Sequence, residues 1–210
     1  MMIGYATRSL VIAMGLIVSA PASAEATLGE RALDGAGLES RVLFGDERES
    51  VPLVFRHVGL RHGVPYRILY AVSLAESQTR IEGGRTRPWP WTLNIAGAGR
   101  YYATRADAER ALVEARRAGT RNIDVGFGQV NLHWNGHLFA HEGEWLDPVM
   151  NLEAAAQVLL REFAHCERAV GHADWWCAVG RYHSGGESEA QRGRAARYSE
   201  RVFALWEKLK

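Results

Sequence analysis

What this chain of 210 residues lacks bounds it before any motif is read. It has almost no net charge: 25 basic against 24 acidic residues leave a formal +1, which is not the balance of a nucleic-acid binder. The arginines that do cluster, Arg105, Arg110, Arg116 and Arg117, are interleaved with Asp107, Glu109 and Glu114 and read as the ion-paired, solvated face of a helix. No apolar run reaches the roughly 20 residues needed to span a bilayer. The run Leu10–Ala20 follows Arg8 and precedes the small-residue site Ala22-Ser23-Ala24, so residues 1–24 read as a secretory signal peptide. No cysteine stands at that site to take a lipid. The expectation is an exported, periplasmic chain with no membrane anchor once the signal is removed. Cysteine is scarce, with only Cys166 and Cys177. In an exported chain they are a natural disulfide pair, and two buried thiols are the alternative. There is no internal repeat and no room for a second sizeable domain, yet a 47% hydrophobic composition argues against disorder.

Residues 25–50 mix glycines with charges and hold no period, so they read as a lead-in to a domain over 51–210. Val51, Val54, Phe55 and Val58 recur at helical spacing and Gly63 terminates that helix. Pro65 opens the next helix, PYRILYAVSLAES, which runs to Ser77. Leu69, Val72 and Glu76 share one of its faces with Ser73, so Glu76 ends an apolar stripe close to the helix terminus. Desolvation and the negative end of the helix dipole both disfavour a carboxylate there. A carboxylic acid that keeps its proton is what a general acid for glycoside cleavage needs. The plainer alternative is an amphipathic helix whose last glutamate reaches water.

Residues 79–122 form an insertion of different character. Thr92–Ile95 and Arg100–Ala103 flank a glycine-containing turn and predict a β-hairpin, and Thr104 caps a helix through about Ala118. Trp89 and Trp91 alternate with prolines; they either cap the core locally or offer indole faces on which pyranose rings stack. Ile123–Asn131, IDVGFGQVN, reads as extended backbone broken by Gly126 and Gly128. On extended chain Gln129 and Asn131 point the same way, a pair of amides suited to sugar hydroxyl and acetamido groups, or a plain surface pair. His133, His137 and His141 recur every four residues, but Gly136 interrupts their face and no metalloprotease carboxylate accompanies them, so no metal or other cofactor is expected. Asp147-Pro148 and Asp174 open two more helices, and a last one is expected over about Arg194–Leu209 with Tyr198, Val202, Leu205 and Leu209 inward.

Three of these stretches, in this order, resemble the motifs of soluble lytic transglycosylases: Glu76-Ser77 at a helix end, Gly126-Phe127-Gly128-Gln129-Val130-Asn131, and Arg181-Tyr182-His183-Ser184-Gly185. The resemblance covers about Val51–Leu209, and Pro88-Trp89-Pro90-Trp91-Thr92-Leu93-Asn94 is similar to transglycosylases of conjugative and type IV secretion systems. Phe127 and Gly128 stand where that family has Leu and Met, and His183 stands where it has Asn. The resemblance implies a mainly α, lysozyme-like α+β domain with a small β-hairpin element in the insertion. It implies cleavage of peptidoglycan glycan strands without water, by a monomer that can serve an envelope-spanning secretion or conjugation machine. Glu76 would be the acid and then the base, Ser77 and Tyr182 its hydrogen-bonding neighbours, and Gln129, Asn131 and His183 sugar contacts. A goose-type hydrolase is the nearest alternative, with Asp124 the carboxylate placed to orient water. A sugar-binding scaffold of poor activity is the other.

Overall fold

Side-chain caps set where several of the helices begin. Thr104 accepts from the Asp107 amide, Asp147 from those of Val149 and Met150, and Asp174 from that of Trp176, each satisfying donors that a first helical turn leaves open. The computed structural model describes residues 43, 45, 50–81, 84–172 and 174–209. The signal-peptide reading and nearly all of the lead-in lie outside the described residues. Helices α1 (Leu53–His62) and α2 (Tyr66–Ser77) make a hairpin closed by Gly63 at φ 70°. Strands β1 (Gln78–Arg80) and β2 (Thr86–Pro88) pair as a short ribbon. Then come β3 (Thr92–Ile95), β4 (Ala98–Tyr101), α3 (Arg105–Arg117), β5 (Ile123–Val125), β6 (Val130–Asn131) and the one-turn α4 (Leu132–Asn135). Three longer helices end the chain: α5 (Pro148–Val170), α6 (Trp175–Ser184) and α7 (Glu189–Glu207). The fold is mainly helical with a small antiparallel sheet of order β4-β3-β5-β6.

Two cores hold it. The larger joins α1, α2, α5, α6 and α7 around Phe55, Leu69, Leu152, Leu159, Val179 and Val202. The smaller seals the back of the sheet, where Leu93, Ile123 and Val125 meet Ala108 and Leu112 of α3. A buried side chain of this kind contributes roughly 1.5–3 kcal/mol relative to exposure. Among the described residues no helix is long and apolar enough to cross a membrane.

Three boundaries differ from those the sequence predicts. The hairpin's second arm is Ala98–Tyr101 rather than Arg100–Ala103, because Ala96 and Gly97 turn the chain in two residues with φ of 52° and 91°, the geometry that suits the twist of a tight hairpin. The last helix begins at Glu189 rather than Arg194, since Ser188 and Gln191 form a capping box. Residues 126–129 are a turn rather than extended chain. There the Gln129 amide donates back to the Gly126 carbonyl at 3.3 Å.

Cys166 of α5 and Cys177 of α6 are joined in a disulfide that closes a loop of sequence separation 11. Removing the link frees a short loop in the unfolded chain, which costs about 3 kcal/mol on the loop-entropy scale. Reduction is therefore expected to lower the melting temperature by roughly 6–12 °C. Thermal melts with and without reductant check this; coincident curves would mean that α5 and α6 dock as firmly without the bond.

Candidate active site

Strand register turns one face of the sheet into a wall. Gly99 pairs with Asn94, Asn94 with Asp124, and Asp124 with Asn131, so these four residues lie in one row on one face. Thr92 and Tyr101 pair one step along the same face. All six line a cleft of about 390 Å³, and Glu76, Gln129, Trp134, Tyr182 and His183 line it too.

Glu76 projects into this cleft from the last turn of α2, its side chain only 15% exposed. Its Oε1 is buried and makes no hydrogen bond among the described residues, lying 3.8 Å from His183 Nδ1. The His183 ring in turn lies flat on Tyr198, with centroids 4.5 Å apart and planes 2° apart. Burial pushes the Tyr198 phenol well up, and the adjacent Glu76 charge pushes it further. Asp124 is raised as well, first by burial, with the Glu76 charge adding and the Asn131 hydrogen bond and His183 opposing. Two carboxyl groups thus share one poorly solvated cleft.

The turn 126–129 is tied down from four sides. Phe127 is fully buried, its ring 5.3 Å from that of Phe55. Ser77 Oγ donates to the Phe127 carbonyl at 2.8 Å, and Tyr182 Oη donates to the Gly128 carbonyl at 2.6 Å. The Gly128 amide donates to Asn151 Oδ1 at 3.0 Å. A Cβ at Gly128 would stand 2.6 Å from the Ala155 methyl and 2.9 Å from Tyr182 Oη, so no larger residue fits. Gln129 takes the left-handed region at φ 45°, a cost of about 1–3 kcal/mol for a non-glycine residue. Its Nε2 offsets this by donating to the carbonyls of Gly126 at 2.9 Å and Thr92 at 3.1 Å. Gln129 lines the cleft.

Of the residues singled out from the sequence, Glu76, Gln129, Asn131, Tyr182, His183 and Asp124 come together here. Their parts differ from expectation in places. Ser77 is fully buried beside Glu76 and works inward, holding the turn. Asn131 spends its amide internally: Nδ2 donates to Asp124 at 2.7 Å and to Asn122 at 2.8 Å, and Oδ1 caps α4. Because Gln129 sits in a turn, the two amides are not a parallel pair on one strand. Trp89 is 1% exposed and donates from Nε1 to the Tyr102 carbonyl at 2.7 Å, while Trp91 packs edge-on against it at 5.3 Å. Neither indole lines the cleft, so the sugar-platform reading of this pair gives way to the core-cap alternative. The helix bearing His133 stops at Asn135, so His133, His137 and His141 do not share a helix face.

Sequence reasoning did not single out Asn94, Tyr101, Trp134 or Asn151 for the site, and it read Tyr198 only as a core residue. Alternation in Thr92–Ile95 could have pointed to Asn94; nothing local points to Trp134. Compared with protein-family models, curated proteins and solved structures, the chain finds no match in any of the three.

Proposed function

We propose that this protein is a peptidoglycan lytic transglycosylase with a lysozyme-like fold, acting in the periplasm on the β-1,4 bond between N-acetylmuramic acid and N-acetylglucosamine. The observation that carries the reading is convergence: Glu76, the Gln129 turn and Tyr182, from three separated stretches, line one cleft around a poorly solvated carboxyl group. In this reading Glu76 donates its proton to the bridging oxygen as the glycosidic bond breaks. The substrate's own acetamido oxygen stabilises the positive charge at the anomeric carbon, so a second carboxylate is not required, unlike the usual pair. Glu76, now ionised, takes the proton of the muramic 6-hydroxyl. That oxygen closes on the anomeric carbon to give a 1,6-anhydro end, and the glutamic acid is restored. Tyr182 holds the turn that carries Gln129, and His183 faces both carboxyl groups. Service to an envelope-spanning secretion or conjugation system is the setting that the motif resemblance suggests.

One observation favours a second reading. Asp124 lines the same cleft, raised by its burial, and a second carboxyl group is what a hydrolase uses to direct water. Mass spectrometry of products from purified peptidoglycan separates the two. Ends lighter by one water, unchanged in kind when Asp124→Asn is tested, are the expected result. Reducing ends that vanish with Asp124→Asn would make this a muramidase, and no products at all would leave only a glycan-binding role.

A further inference from the structure

Two aromatic side chains in the cleft are far more exposed than packing requires. Trp134 is 73% exposed and Tyr101 is 43% exposed, and both line the cleft that holds Glu76. They come from opposite margins of the sheet: Tyr101 ends the edge strand β4, and Trp134 sits in α4, immediately after β6 at the other edge. Three strand spacings of about 4.8 Å separate those edges, a span wider than one pyranose ring. The row Gly99, Asn94, Asp124, Asn131 runs across the strands between them. Within that row Asn94 and Asp124 both line the cleft.

Trp134 is also held rather than trailing. Its amide and that of His133 donate to Asn131 Oδ1, and the His133 ring packs edge-on against the indole at 4.6 Å. Since Asn131 is itself bonded to Asp124 at 2.7 Å, the indole is built onto the same frame as the carboxyl groups. Fixing a large apolar ring in water brings no burial to the free protein. A ligand with a flat apolar face and polar edges recovers it, and the face of a pyranose with its ring of hydroxyls has that chemistry.

Resting on the glycan-cleavage reading, we propose that Tyr101 and Trp134 are two stacking platforms that hold sugar rings at the two ends of the cleft, so that the glycan lies across the strands, over the row that carries Asn94 and Asp124. The spacing of the two platforms therefore calls for an oligosaccharide rather than a single sugar.

The test uses Glu76→Gln protein, which binds without turning over, titrated with N-acetylglucosamine oligomers from dimer to hexamer, while the unsubstituted protein is assayed in parallel for product release from peptidoglycan. Affinity should rise with oligomer length. Trp134→Ala and Tyr101→Ala should each weaken the longest oligomer by roughly tenfold and flatten the dependence on length, and Trp134→Phe should recover part of the loss. Both side chains are exposed, so circular dichroism and melting should be unchanged. Oligomer affinity untouched by either substitution, or absent from a protein that does release products, overturns the platforms and leaves the cleavage reading standing. An unsubstituted protein that releases nothing, and whose Glu76→Gln form binds nothing, overturns both.

Discussion

Glu76→Gln should lower product release from peptidoglycan by about 10²–10⁴-fold, the range that a positioned general acid and base contributes, while the melting temperature stays within a few degrees of the unsubstituted protein. The two halves of that expectation rest on different observations. The rate falls because the amide has the shape of the acid without its proton, and both steps pass through this one group. Stability holds because glutamine keeps the size and shape of the glutamic acid, and Oε1 makes no hydrogen bond among the described residues that the change could remove. Product release is followed by chromatography of soluble muropeptides, and the fold by thermal melting. Retained release in a well-folded variant would remove Glu76 from the mechanism.

The parts of the fold that were legible in the sequence are those whose signals are local. Thr104, Asp147 and Asp174 each sit just before an apolar period, and a capping side chain needs only its own next three residues. The α1–α2 hairpin is likewise written in Gly63 and Pro65. Where a local pattern fits two structures, the reading fails. In IDVGFGQVN, alternation of Ile123, Val125 and Phe127 around single glycines suits a strand with bulges as well as a turn. What decides for the turn is Phe127 entering the main core against Phe55, hydrogen bonds donated by Ser77 and Tyr182, and one accepted by Asn151. All three partners are distant in sequence. Trp89 and Trp91 were ambiguous for the same reason: exposure is a property of the assembled core, and a proline-flanked indole looks alike in both. Glu76 was legible as a candidate because its stripe is helical. The wall opposite it was not, because the register that aligns Asn94, Asp124 and Asn131 depends on strand pairs no local window contains.

Asn151 brings these threads together, and its loss should damage stability and catalysis at once. It lies in the first turn of α5, 1% exposed, with nothing in its neighbourhood to distinguish it from a surface amide in the sequence. Its Oδ1 accepts from the Gly128 amide at 3.0 Å, and its Nδ2 donates to the carbonyls of Val125 at 2.9 Å and Trp145 at 3.2 Å. Gly126, at φ 75°, is glycine beside it because a Cβ there would collide with the Asn151 amide. Asn151→Ala strips partners from buried backbone groups, each worth about 1–3 kcal/mol when left unsatisfied. The expected total is about 3–5 kcal/mol, a large share of the roughly 5–15 kcal/mol that holds a domain together. Melting should fall by roughly 10 °C. Well below that melting point the rate should still drop by about 10²-fold, because a catalytic constellation displaced by an ångström loses about that much. Leu112→Ala supplies the comparison: a buried leucine truncated behind the sheet costs about 2–5 kcal/mol, yet it touches neither the turn nor Glu76, so its rate below melting should stay near that of the unsubstituted protein. Equal rates for the two variants would mean that the turn keeps its shape without Asn151, and that Ser77, Tyr182 and Phe127 suffice to hold Gln129 in place.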